Sequence, residues 1–283
     1  MQLRQACDRT QQQSQPVLKP HQPQPCRNNR PLRFAGECSS SAGPPRDPRN
    51  TSTHLISIGA APFAPHQLQP MFRALGGLLS AHVATTSQPR LVPGYAGTFL
   101  NQARTLADRL LPAFDTPSAI PLSWVNLSSG QIPGDVRSTC VACATTLTVE
   151  FRLLSQLTGD PRYGAAADAA VAAVYARRHR TTGLVGNTLS TDTGEWERGD
   201  AGIGPGADSF YEYLLKTYLV FGDEEYLRMF AEQYVRVQRY MAVPGSWRGS
   251  AWVLDVTMGR LEAIKPWVSS LSAFWPGLQV CVL

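Results

Sequence analysis

Gly202-Ile-Gly-Pro-Gly-Ala-Asp208-Ser-Phe-Tyr-Glu212-Tyr-Leu-Leu-Lys216 is the stretch from which the fold is read. Three glycines and a proline make a loop that cannot be helical, and a strong helical pattern begins at once. Ser209 and Glu212 have capping-box spacing, which predicts a helix start at Asp208 or Ser209. Phe210, Leu214 and Tyr218 share one face, and Tyr211 and Leu215 widen it into a broad apolar stripe. Asp208 and Glu212 are four apart, so both carboxylates leave the first turn in the same direction. Like charges at that spacing cost roughly 0.2–0.5 kcal/mol on an exposed helix, and the helix N-terminus offsets part of this. Two readings stand: a capping box on a core helix, or a pair of site carboxylates presented by a Gly-rich loop.

Upstream, Thr139 to Leu157 reads as one long helix. Gly159 ends it, Asp160 caps the next helix and Pro161 takes its first turn, with an Ala-rich helix over 162–178. The same grammar returns 63 residues on, where Gly222 stops one helix and Asp223 starts another, with Tyr226 echoing Tyr163. Repeated helix–Gly-Asp–helix units predict helical hairpins arranged as a toroid. Between them, Asp192-Thr-Gly194 is a turn flanked by short alternating segments, which predicts a β-hairpin within 183–201. Helices are also expected from Met71 to His82, from Tyr95 to Phe114 and from Glu262 to Trp275. Residues 115–138 read as a loop carrying Trp124 and the sequon Asn126-Leu-Ser128, and residues 244–262 as irregular or partly extended. The fold class is all-α with one small β-hairpin.

The chain has 283 residues, 43% of them hydrophobic, enough for one large domain or two small ones. Its net charge of +5 is uneven. Residues 1–50 hold 8 Lys and Arg against 3 Asp and Glu, which leaves 26−8 = 18 basic and 21−3 = 18 acidic residues in the remainder. The basic character thus belongs to a tail, and nothing marks the rest as a nucleic-acid-binding face. Residues 1–54, with eight prolines and eight glutamines, carry too little apolar surface to offset chain entropy and are expected to be disordered. The boundary between this segment and the folded part is set at 67/68.

No run approaches 18 apolar residues, so no membrane-spanning helix is expected. No charged stretch followed by an apolar core opens the chain. Cys140-Val-Ala-Cys143 lacks a second pair at zinc-finger spacing. Because it lies in a helical pattern, two buried or neighbouring thiols are expected there; a disulfide or redox role is the other reading.

The ordered match of Gly202–Lys216, together with Thr139-Cys-x-Ala-Cys143 through Glu150-Phe, Leu-Thr-Gly-Asp160, Gly-Leu-Val-Gly-Asn187 and Phe274-Trp-Pro-Gly-Leu-Gln279, resembles glycoside hydrolase family 47. These are the class I α-1,2-mannosidases, and the likeness is to their ER degradation-enhancing α-mannosidase-like branch, over about residues 71–280. The resemblance implies an (α/α)7 barrel, incomplete here, with a β-hairpin. It further implies inverting hydrolysis of α-1,2-linked mannose, a bound calcium ion, high-mannose N-glycans of misfolded glycoproteins as partners, and the lumen of the endoplasmic reticulum.

Carried over position by position, Asp208 matches a catalytic carboxylate, and Glu212 and Glu150 match acidic positions lining the glycan pocket. Inverting chemistry needs a general acid and a general base with room for water between them. The family writes Phe-Glu-x-x-Ile-Arg before its Leu-Gly-Gly-Leu-Leu-Ser-Ala-His helix, and that Glu is its general acid. Here Gln69 stands in its place, and an amide cannot donate a proton as a carboxylic acid does. The family's Arg-Pro-Glu motif and its calcium-contacting threonine fall beyond Leu283, so the chain is expected to be a fragment, with exposed helix faces that a full barrel would cover.

Overall fold

A computed structural model describes residues 66–127, 137–245, 250–265 and 267–281. The Gln- and Pro-rich segment up to residue 65 and Ser128 of the sequon lie outside the described residues. Six helices form three antiparallel hairpins: α1 (Leu68–Ser87) with α2 (Thr98–Leu110), then, past a short α3 (Val141–Thr145), α4 (Thr148–Thr158) with α5 (Arg162–Ala176), and α6 (Asp208–Phe221) with α7 (Glu224–Tyr240). A last short helix, α8, spans Trp275–Val280, after a 3-10 turn at Ser270–Phe274. The first members of the hairpins, α1, α4 and α6, pack side by side as a row, and α2, α5 and α7 back them.

The glycine stops work as their sequence positions require. Gly159 and Gly222 close α4 and α6 with φ of 74° and 71°, left-handed values that cost a side-chain-bearing residue about 1 kcal/mol or more. Asp223 then caps α7, its carboxylate accepting from the Glu225 amide, and Asp160 accepts from the Arg162 amide. The 63-residue echo extends to side chains. Tyr163 donates its hydroxyl to Asp108 on α2 at 2.7 Å, and Tyr226 donates its hydroxyl to Asp168 on α5 at 2.7 Å. Each backing helix is thereby pinned to the one before it by the same contact.

Ten short strands are found among the described residues. β3 (Ser138–Cys140), β4 (Thr188–Ser190) and β5 (Trp196–Arg198) form one antiparallel sheet in that order, which places the expected hairpin around Asp192-Thr-Gly194. β6 (Asp200–Ala201) pairs with β9 (Asp255–Thr257), which pairs with β10 (Ala263–Lys265). β7 (Ala242–Pro244) pairs with β8 (Ala251–Val253), and β1 (His66–Gln67) with β2 (Trp124–Val125).

The apolar faces meet in two packed groups. One joins Leu75, Leu79, Leu106, Leu110, Phe151 and Tyr163 of the first two hairpins; the other joins Val174, Phe210, Tyr211, Leu214, Phe230 and Trp275 farther along.

Four expectations need correction. Thr139–Leu157 is not one helix: residues 138–140 are taken by β4 as a third strand, and the helical backbone breaks at Thr146 and Leu147. The Ser209–Glu212 capping box does not form. Helix α6 starts from Ala207 with no side-chain cap, because Ser209 sits inside the helix, where its hydroxyl accepts from Thr146 at 2.9 Å. Glu262–Trp275 is not a helix, since β9 captures Ala263–Lys265 as a strand and only the 3-10 turn follows. Cys140 and Cys143 are not thiols but a disulfide. The strand-to-helix corner brings their Cα atoms to 4.9 Å, inside the range a disulfide spans.

Candidate active site

The Gly-rich loop is held from four sides before it delivers Asp208. Asn187 donates from its side-chain amide to the Pro205 carbonyl at 2.8 Å, and its own carbonyl accepts from the Val141 amide. The Ala142 amide donates to the Gly206 carbonyl at 2.8 Å, so the disulfide-bonded corner grips the loop directly. A Cβ on Gly202 would lie 2.3 Å from Asp255 Oδ1, and one on Gly204 2.8 Å from Ser272 Oγ. Beneath the loop, Tyr211 donates to the Gly202 carbonyl at 3.3 Å and sets its ring edge-on to Trp275. The Gly204 carbonyl then accepts from the Asp208 amide at 2.9 Å, which starts α6.

Gly206 carries the tightest requirement. Its φ is +93°, and a Cβ there would meet Asn187 Nδ2 and Oδ1 at 2.7 Å. Gly206→Val combines left-handed strain with that clash. It is expected to lower stability by about 1–3 kcal/mol, and chemical denaturation of the variant beside the parent chain checks it.

Asp208 is half-buried in the first turn of α6. Burial pushes its carboxyl above the ordinary carboxylate range, the charge of Glu212 adds to this, and hydrogen bonds from Ser209 pull the other way. Ser209 Oγ lies 3.5 Å from Asp208 Oδ1. One turn on, Glu212 is bound by Lys216 at 2.7 Å, so the two acidic groups are not a bare like-charge pair.

Glu150 sits in the first turn of α4, level with the second turn of α6. Its Oε1 accepts the Tyr213 hydroxyl at 2.8 Å, while its Oε2 is buried with no partner among the described residues. On α1, Gly76 packs against it: a Cβ at Gly76 would stand in ordinary contact, 3.4 Å from Oε1. Burial drives the Glu150 carboxyl up, against the Tyr213 hydrogen bond and the Lys216 charge. The Tyr213 phenol is pushed up in turn by burial and by Glu150 and Glu212.

Asp208, Glu212 and Glu150 thus lie on the neighbouring starts of α6 and α4, with Glu150 and Glu212 both acting on Tyr213. Gln69 falls in the first turn of α1; its side chain lies outside the described residues. Tyr213 and Lys216 were not singled out in the sequence. Lys216, four residues after Glu212, was the available clue; nothing local announces that Tyr213 reaches across to Glu150.

The raised Glu150 carboxyl fixes a pH signature. A carboxyl that ionises later in the folded than in the unfolded chain destabilises the fold as pH rises past its ordinary value of 4.5, fully so above its folded value. Glu150→Gln is therefore expected to be more stable than the parent chain at pH 7, on the order of 1 kcal/mol. It should have no such advantage at pH 4. Thermal melts of both proteins at the two pH values check the sign.

Calcium takes six to eight oxygen ligands. Among the described residues no three His, Cys, Asp or Glu side chains converge as a ligand set, and the one orphaned carboxylate oxygen, Glu150 Oε2, falls far short of that number. These residues do not by themselves fit a calcium ion, and no step is derived through one. Chelation with EDTA is expected to leave the thermal unfolding midpoint of this chain unchanged, as differential scanning fluorimetry checks.

A cavity of about 620 Å³ opens elsewhere, lined by Arg152, Ser155, Gln156, Asp168, Phe221 and Asp223 among others. Its charged groups are spent on each other: Arg152 pairs with Asp168 and with Asp223, both at 2.8 Å. Those pairs act as a strut between the hairpins. No helix among the described residues is long and apolar enough to cross a membrane.

The profile of Glycosyl hydrolase family 47 matches residues 70–282. Alpha-mannosidase I MNS4 of Arabidopsis thaliana is 45% identical over 210 residues, covering 74% of this chain and 32% of the relative. The human ER degradation-enhancing alpha-mannosidase-like protein 2 is 40% identical over 210 residues, covering 73% of this chain and 35% of the relative. Among solved structures, an alpha-1,2-mannosidase from Trichoderma reesei superposes with a TM-score of 0.67 at 25% identity, over 77% of this chain and 47% of that one. The chain spans about a third of the length of these curated relatives.

Proposed function

Because the chain belongs to glycoside hydrolase family 47 and its three hairpins form part of an (α/α)7 barrel, we propose that it is part of an α-1,2-mannosidase-like protein. Its substrates on this reading are the high-mannose N-glycans of glycoproteins in quality control and degradation at the endoplasmic reticulum. The observation that carries the reading is the placement of Asp208 and Glu150. Both are acidic groups half-withdrawn from water on adjacent helix starts, with carboxyls raised by burial. For Asp208 that is the environment in which a carboxyl group does proton-transfer work, and Glu150 stands beside it as an acceptor for the substrate.

In this assignment Asp208 is the catalytic carboxylate, and Glu212 and Glu150 receive sugar hydroxyls. In inverting hydrolysis one carboxyl protonates the leaving oxygen while a carboxylate deprotonates the attacking water. The Cys140–Cys143 disulfide supports an oxidising compartment, in line with relatives named for the endoplasmic reticulum.

A second reading, glycan binding without cleavage, is favoured by one observation. By the family resemblance, Gln69, one residue before the matched stretch 70–282, stands where the family has its acidic proton donor, and an amide has no such proton to give.

Incubating the chain with a high-mannose N-glycan, and following both free mannose and bound glycan, decides between them. Mannose release supports the hydrolase. Saturable binding without release supports the lectin-like reading. Neither release nor binding sinks both.

A further inference from the structure

Glu150 is the one acidic group in the candidate site with a buried oxygen that has no hydrogen-bond partner among the described residues. Oε1 is taken by the Tyr213 hydroxyl at 2.8 Å, and Oε2 is buried and unpartnered. A buried carboxyl oxygen left without a hydrogen bond is costly, and a hydroxyl from outside the chain, of a ligand or of water, would satisfy it.

The arrangement is built from three helices. Glu150 comes from α4 and Tyr213 from α6, while α1 faces them with Gly76. Of the charged groups acting on Glu150, Lys216 comes from α6 and is already engaged by Glu212.

We propose that Tyr213 is a positioning residue for Glu150: its hydroxyl holds Oε1 and so dedicates Oε2 to a hydroxyl of the bound glycan. This rests on the glycan reading above and deepens it, because no role has been given to Tyr213. A tyrosine suits the task. Its hydroxyl stands at the end of a rigid ring, so α6 can fix the rotamer of a side chain on α4 without a second charge. The same hydrogen bond favours the ionised form of Glu150 against burial, and an ionised Oε2 accepts a sugar hydroxyl.

The test uses the chain as it is, with α-1,2-linked mannobiose as the probe. Calorimetric affinities are measured for the parent chain, Tyr213→Phe, Glu150→Gln and the double variant. Tyr213→Phe is expected to weaken binding about ten-fold, as one charge-assisted hydrogen bond does. The double variant is expected to bind no worse than Glu150→Gln alone, since both changes disable one device.

Infrared difference spectra supply a readout that needs no ligand. The Glu150 carboxyl band, identified by its loss in Glu150→Gln, is expected to shift in Tyr213→Phe toward the protonated form at neutral pH. Equal mannobiose binding by the parent chain and Tyr213→Phe, or an unshifted band, overturns the role of Tyr213. A band that shifts in Tyr213→Phe, together with no mannobiose binding by the parent chain, overturns the glycan reading while leaving the Tyr213–Glu150 link in place.

Discussion

Arg152→Ala is expected to lower the unfolding free energy by about 3 kcal/mol, the largest loss for any single charged side chain described. Arg152 leaves α4 with only 19% of its side chain exposed. It donates from Nε to Asp168 on α5 and from a terminal nitrogen to Asp223, the cap of α7. Its guanidinium lies 4.7 Å from the Tyr226 ring centre and 5.8 Å from that of Phe221. The two carboxylates hold the guanidinium well above its ordinary range, against burial.

Truncation would leave two carboxylates facing each other across the cavity, strip Tyr226 of its cation and weaken the cap of α7. Both carboxylates retain some solvent, which holds the figure at the low end for a buried pair. Urea midpoints for Arg152→Ala and Arg152→Lys decide the matter. The lysine should recover less than half the loss, because one ammonium cannot serve both acids in the same fork. A midpoint unchanged in the alanine variant would show that the strut carries no load.

The second large effect concerns chemistry. On the proposed hydrolase reading, Asp208→Asn is expected to reduce mannose release from an α-1,2-linked substrate by 10²–10⁴-fold, the range for losing a positioned acid–base group. Its thermal midpoint should stay level or rise slightly. That contrast follows from the surroundings of Asp208. Its carboxyl is raised by burial and by Glu212, so ionising it weakens the fold at neutral pH, and asparagine relieves that. The N-cap position is Ala207, with no side-chain cap, so the change removes no helix cap. A matching fall in stability would instead mark Asp208 as structural. Single-turnover assays paired with melts separate the two.

The outcome for the sequence reading divides along physical lines. Turns marked by glycine were legible, because left-handed backbone at Gly159 and Gly222 admits little else, and because Asp160 and Asp223 follow as amide acceptors. The apolar face of α6 was legible from its spacing, and Phe210, Tyr211, Leu214 and Leu215 are all buried. What failed was decided by distant partners. Ser138–Cys140 had no local reason to leave a helical pattern until Thr188–Ser190 arrived to pair with it. Ala263–Lys265 became a strand because Asp255–Thr257 offered an edge. The Ser209 hydroxyl was drawn to Thr146, 63 residues away, over its local capping role. The same holds for the site: the acidic residues were named in advance, whereas the phenol of Tyr213 belongs to it only because α4 and α6 lie side by side.

The bracing of the Gly-rich loop has a consequence for how this protein comes into being. Each hairpin joins segments close together in the chain, so each can close soon after its residues are made. Asn187 and Ala142, which grip the loop at Pro205 and Gly206, precede it in synthesis. Asp255 and Ser272, which press on Gly202 and Gly204, follow it by some fifty to seventy residues. The wall of helices can therefore stand while the cradle of Asp208 is still open on one side. Its final shape waits for the last stretch of the described chain to arrive.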